Sequence, residues 1–348
     1  MRQVLMLGVG LVFLIAARAQ TNNYTVTNIV TSAQDPRLIN PWGLSRPSKS
    51  SFTENQWWAS DQVSGLSTLY DVDGTIANLA VKIPPASGTG AGSPTGTAFD
   101  PWNNNFVFAT LDGTVSIWVA GQKPSQPGKA CLECHVNSSQ IVINHASSGA
   151  SYQGVTIAKN ATTGNPAFYV ANANGGVEVY DGTSFAPLSL PAGAFTDSTI
   201  PASYTPAGIQ AIGTTIFATY NASAGGGVGF VDAYDTNGKL LLRLQSQVNG
   251  KYVLDQPWGV ALAPADFGAF SNTILIGNTG NGLIGAYRPS NGQFLGFLKE
   301  NGQVISIPGL WGLEFGDGNT ESGPVNVLYF NAGGASQTTG VFGAITPD

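Results

Sequence analysis

A glycine recurs along this chain at nearly constant spacing, closing a short motif of the type Pro-x-Gly or x-Trp-Gly. The copies are Pro41-Trp42-Gly43, Pro94-Thr95-Gly96, Tyr152-Gln153-Gly154, Pro206-Ala207-Gly208, Pro257-Trp258-Gly259 and Leu310-Trp311-Gly312. Successive glycines are 53, 58, 54, 51 and 53 residues apart. Within one copy, Gln256–Leu298, four short β-forming runs are separated by Gly, Asn, Pro and Ser, which reads as one four-stranded antiparallel sheet. One such sheet cannot bury both of its faces and needs neighbours. Six copies of it predict an all-β chain, a six-bladed β-propeller of four-stranded antiparallel blades.

The last copy, Leu310–Ile345, has room for only three strands: Leu310–Phe315, Val325–Phe330 and Gly340–Ile345. Tyr24–Thr31 alternates cleanly and precedes the first blade opening. It is expected to supply the missing strand, because pairing the start of the chain with its C-terminal blade closes the ring and removes an exposed sheet edge. Residues 20–348 then form a single propeller domain, with an insertion at 120–138 in the second blade.

Composition narrows the function classes. Only 10% of residues are charged, and the net charge is −6, against the clustered Lys and Arg that nucleic-acid binding needs. Aromatic and β-branched residues are too plentiful for disorder. Arg2, the apolar run Val4–Ala17 and Ala17-Arg18-Ala19 read as an export signal over Met1–Ala19, with a mature start at Gln20. The run is shorter than the roughly 20 residues that span a bilayer. The expectation is a secreted or periplasmic protein with no membrane segment after cleavage.

Two constellations carry candidate chemistry. The loop between second and third strands begins with Asp or Asn in nearly every copy, and propeller topology opens this loop on the face where the inner strand begins. Asp61, Asp112, Asn172, Asn278 and Asn331, with Asn40 beside them, are therefore expected to ring a polar channel mouth for a small polar ligand or an extracellular protein or glycan. Plain turn chemistry explains the same residues, since Asp and Asn bond their own backbone. With two carboxylates among them, a tight divalent-cation site is poorly neutralised. The second constellation is Cys131-Leu132-Glu133-Cys134-His135, which matches the C-x-x-C-H attachment site of c-type haem, with His145 as a second axial ligand. A local disulfide is the competing reading. No G-x-S-x-G elbow or H-E-x-x-H motif occurs. A lyase or lactonase-type activity at the mouth rests on fold-level analogy alone.

The ordered motifs Leu38-Ile39-Asn40-Pro41-Trp42-Gly43-Leu44, Pro94-Thr95-Gly96, Pro257-Trp258-Gly259-Val260-Ala261-Leu262-Ala263-Pro264 and Gly309-Leu310-Trp311-Gly312-Leu313-Glu314-Phe315-Gly316 resemble those of an uncharacterised exported bacterial family of conserved hypothetical proteins associated with PEP-CTERM sorting. The resemblance spans about Tyr24–Ile345. It implies a bacterial, exported, propeller-like protein and brings no catalytic residues. The chain departs from the family in ending at Thr346-Pro347-Asp348 without a sorting tail, and in its Cys131–His135 segment. The reading from sequence is a secreted binding or interaction propeller, with a haem-carrying electron-transfer protein as the alternative.

Overall fold

The computed structural model describes residues 21–47, 55–119, 137–225 and 227–348. The export signal read at Met1–Ala19 lies outside the described residues, as does most of the insertion, with Cys131, Cys134 and His135. The described chain is a ring of six antiparallel sheets, with two two-stranded hairpins beside them, Gln247–Val248 with Lys251–Tyr252 and Lys299–Glu300 with Gln303–Val304. Helical structure among the described residues is two 3-10 turns, Ala146–Ser148 and Gly268–Phe270.

Blade 1 runs outward through Pro41–Ser45, Trp57–Asp61, Leu66–Tyr70 and Ile76–Lys82. Blade 2 holds Pro94–Asp100, Asn105–Thr110, Thr114–Val119 and Gln140–Asn144. Blade 3 holds Tyr152–Lys159, Pro166–Asn172 and Gly176–Asp181. Its outer position is taken by an isolated bridge between Tyr180 and Pro187 and a hydrogen bond from Leu188 N to Val179 O (2.8 Å). Pro187 and Pro191 lack the N–H a regular fourth strand needs. Blade 4 holds Tyr204–Ile212, Thr215–Ala222, Gly229–Asp235 and Leu240–Arg243. Blade 5 holds Pro257–Leu262, Ile274–Asn278, Ile284–Tyr287 and Phe294–Phe297.

Blade 6 contributes Leu310–Phe315, Leu328–Ala332 and Val341–Pro347, and its outer strand is Tyr24–Thr31. The register runs from Tyr24 opposite Pro347 to Thr31 opposite Val341, with a bulge between Asn28 and Val30. Tyr24 is fully buried, donates its hydroxyl to Phe267 O of blade 5 (3.1 Å) and packs on Phe267 and Phe270. The expected closure is therefore present, and it also locks blade 6 to blade 5.

Alternation along each strand sends successive side chains into opposite seams. Trp57 packs on Tyr329 and Phe342 of blade 6, whereas its neighbour Trp58 stacks on Phe106 of blade 2 at 3.9 Å. Among the described residues, six hydrophobic clusters fill the seams, one between each pair of adjacent blades.

The repeated glycines explain how six inner strands meet at one axis. Each stands at a β-bulge, and a methyl group there would strike the backbone of the next inner strand. A Cβ on Gly43 would lie 2.5 Å from Thr97 N, and one on Gly96 would lie 2.5 Å from Val155 N. Gly154 faces Ala207 O at 3.2 Å, Gly208 and Gly259 press hardest, on the carbonyls of Trp258 and Trp311, and Gly312 faces Trp42 O at 2.7 Å. The last contact returns to blade 1, so the circle of glycines is complete.

Candidate functional site

The axis has two ends. At the entry face, where the chain enters each inner strand, the residues just before the glycines point inward. Trp42 and Trp311 stack at 3.8 Å between ring centroids, and Trp258 stands edge-on to both, at 6.4 and 5.8 Å. Trp258 Nε1 donates to Gln153 O of blade 3 (3.2 Å), and Trp311 Nε1 donates to Asn40 Oδ1 (3.2 Å). Blades 5 and 3 are not neighbours, so the Trp258 bond crosses the axis, whereas the Trp311 bond joins the adjacent blades 6 and 1. The three indoles, each under a tenth exposed, and Ala207 form an aromatic plug. Beneath it the channel narrows to a cavity of about 20 Å³ among Gly43, Gly96, Gly259 and Gly312, room for about one water. These tryptophans fill the axis itself rather than the seams between blades.

The six polar residues expected around this mouth lie at that face, woven into the framework. Asp112 Oδ2 accepts from Ser93 N (2.7 Å), Asn172 Oδ1 from Ser151 N (3.0 Å) and Asn278 Oδ1 from Asp255 N (3.1 Å). In three blades, then, the side chain ties the turn after the second strand to the backbone entering the inner strand. Asn331 Nδ2 donates across the seam to Gly43 O of blade 1 (2.8 Å). Asn40, at a φ of 49°, donates to Gln62 Oε1 (3.0 Å). Asp61 is fully buried and accepts from Thr68 Oγ1 (2.7 Å). Burial pushes its carboxyl well above the usual carboxylate range; Thr68 works against this and the charge of Asp35 adds to it. All but Asp112 are buried.

His145 stands at the entry end of Gln140–Asn144. Its Nδ1 lies 3.0 Å from Tyr152 Oη and 2.9 Å from Tyr180 Oη. Both phenols donate to Glu178 Oε2, Tyr152 at 2.9 Å, and Asn172 Nδ2 donates to Glu178 Oε1 at 2.7 Å. Burial first, then the neighbouring Tyr180 phenol and Glu178, pushes Tyr152 up, and burial with Glu178 does the same to Tyr180, so both stay protonated donors. Burial works to raise Glu178, but the bonds from Tyr180, Asn172 and Tyr152, with His145 nearby, outweigh it and hold the carboxyl below its ordinary value. A depressed carboxylate stabilises the fold above its unfolded pKa of about 4.3 and loses that contribution as pH falls through the lower folded value. Glu178→Gln is expected to cost about 1–3 kcal/mol at pH 7 and to flatten the acid limb of stability below about pH 4.3, measured by urea unfolding across pH.

At the opposite, exit face the inner strands splay into a funnel of about 220 Å³, lined by residues of blades 1, 2, 3, 4 and 6. Its polar lining includes Arg46, Thr97, Thr156, Gln210 and Glu314, with Phe99 on an apolar wall. Arg46 Nη1 pairs with Asp317 Oδ2 (3.1 Å), its Nε donates to Phe315 O (3.0 Å), and its guanidinium lies 5.6 Å over the ring of Trp57. Glu314 is 31% exposed and lies 3.7 Å from Arg46 Nε. Burial pushes the Glu314 carboxyl up to about 7; Arg46 pulls it down and Asp317 adds to the rise. Larger hollows, of about 530 Å³ beside Arg243 and Asn291 and about 610 Å³ beside Leu66 and Asn78, lie on the outer rim rather than on the axis. Motif reading missed the funnel. The available signal was a charged residue, Glu314, inside an otherwise apolar inner strand, with Arg46 directly after another.

No known family profile matches this chain. It is similar to two uncharacterised proteins of Acanthamoeba polyphaga mimivirus. One is 26% identical over 352 residues, covering 94% of this chain and 80% of the relative; the other is 27% identical, covering 94% and 85%. Among solved structures it is similar to the WD40 β-propeller domain of Doa1, with a TM-score of 0.45 and 12% identity over 91% of this chain and 96% of that one.

Proposed function

We propose that this chain is an exported recognition module that binds a small polar ligand in the exit-face funnel. The observation that carries the reading is the Arg46–Glu314 pair, recessed in an axial cavity that five blades build together. Convergent polar groups on rigid strands in a concave site are the usual form of a small-molecule site. The tryptophan plug turns the other end of the axis into framework. Export rests on the Met1–Ala19 pattern.

The test is a thermal-shift screen of small polar compounds on the wild type and on Gln210→Trp, which places an indole in the funnel. Compounds that bind there stabilise the wild type by about 2.7 kcal/mol at a hundred times Kd and leave Gln210→Trp unmoved. Compounds that stabilise both proteins equally would place binding elsewhere.

A further inference from the structure

The charges around the funnel do not balance. Glu314 is the one acidic and Arg46 the one basic side chain on its lining, and no other charged residue lines it among the described residues. Arg46, however, is already engaged: it holds Asp317 at 3.1 Å and Phe315 O at 3.0 Å, both closer than its 3.7 Å approach to Glu314. Glu314 has no hydrogen-bond donor among the described residues. With Glu314 ionised, the described residues of the site carry a net negative charge and a carboxylate whose lone pairs await donors.

We infer that the funnel selects a small organic cation, an amine or guanidine whose N–H groups reach Glu314 and whose carbon skeleton rests on Phe99. This deepens the funnel reading above and depends on it. An ammonium brings up to three donors and a guanidinium five, all lacking at Glu314, whereas a carboxylate ligand meets repulsion there. Thr156 Oγ1 accepts from Ala211 N (2.9 Å) and keeps its own proton to donate, so a hydroxyl or carbonyl on the ligand is accommodated beside the cation. The cavity is smaller than the sites of about 300–1,000 Å³ that take drug-sized molecules, which limits the ligand to metabolite size.

A carboxyl pushed up to about 7 adds a signature. The cation binds the ionised form, so affinity rises with pH through 7, and binding near pH 7 releases a proton from Glu314. Arg46 and Asp317 are the charged groups facing Glu314 among the described residues.

The experiment is isothermal titration of the full-length protein with methylguanidine, 1,4-diaminobutane and ethanolamine, against erythritol and succinate as neutral and anionic probes. The expected result is binding by at least one cation at pH 8, weaker by about tenfold or more in Glu314→Gln and again by about tenfold or more at pH 5.5, with buffer-dependent heats at pH 7 that report the released proton. If erythritol or succinate binds as tightly as every cation, and Gln210→Trp abolishes that binding, the cation inference fails while the funnel reading stands. If a cation binds and neither Glu314→Gln nor Gln210→Trp weakens it, both fail. Absence of heat with every cation overturns the cation inference alone; the screen against Gln210→Trp still decides the funnel.

Discussion

Gly208→Ala is expected to cost about 3–5 kcal/mol, enough to remove the native state of a marginally stable domain. A Cβ there would be driven into the carbonyl of Trp258, at the closest of the glycine contacts around the axis. Both sides are backbone in bulged inner strands, so neither can rotate away as a side chain would. Relief requires blades 4 and 5 to part, which opens the seam holding Val231, Leu254 and Ile276 and disturbs the tryptophan plug that rests on Ala207 and Trp258. Gly250→Ala is the control. That glycine has a φ of 75° and open space around it, so the substitution carries only the left-handed backbone penalty of about 1–2 kcal/mol. Urea unfolding of the two variants measures the difference. Equal losses would mean that the close approach at Gly208 is readily relaxed.

Deleting Gln20–Thr31 is expected to abolish cooperative unfolding altogether. The deletion takes the outer strand from blade 6 and leaves the full length of Val341–Pro347 as an unpaired edge. It also removes Tyr24, whose ring and hydroxyl fasten blade 5, and Val30, buried against Trp57 and Phe342 in the seam with blade 1. Loss of either large side chain alone costs several kcal/mol in other cores, and here the ladder goes with them. A synthetic peptide of residues 20–31 added in trans should restore a single transition, because the edge it pairs with belongs to the other end of the chain. A truncated protein that melts as the intact one does would show that the strand is decoration rather than closure.

The fold was legible because its cause is periodic. A backbone approach that only glycine tolerates recurs once per blade, and residues such as Gly96 and Gly259 mark it at constant spacing whatever lies between. Tyr24–Thr31 was legible through the gap it fills. Blade 3 was less so: Leu188 does bond the third strand, but the prolines beside it keep that segment from becoming a ladder. The site was harder to read for a different reason. Asp112, Asn172 and Asn278 carry the residue types of a binding ring, yet the same types fasten a turn to a neighbouring backbone, and sequence alone does not separate the two uses. The funnel was invisible because it is assembled from single residues far apart in the chain: Arg46, Thr97, Thr156, Gln210 and Glu314 share no motif and meet only once the ring has closed.

Tyr24 lies opposite Pro347, and the side chains of Asn23 and Thr25 both bond Asp348. The first and last described segments of the chain are thus neighbours in space. A linker of a few glycines should join them, and new termini cut at an exposed turn such as Asn249-Gly250 would give a permuted chain whose blade 6 is made from one continuous stretch. The natural order works the other way. Tyr24–Thr31, the earliest strand, has no sheet partner until Val341–Pro347, the latest, has been made, so the ring is expected to close only after both are present.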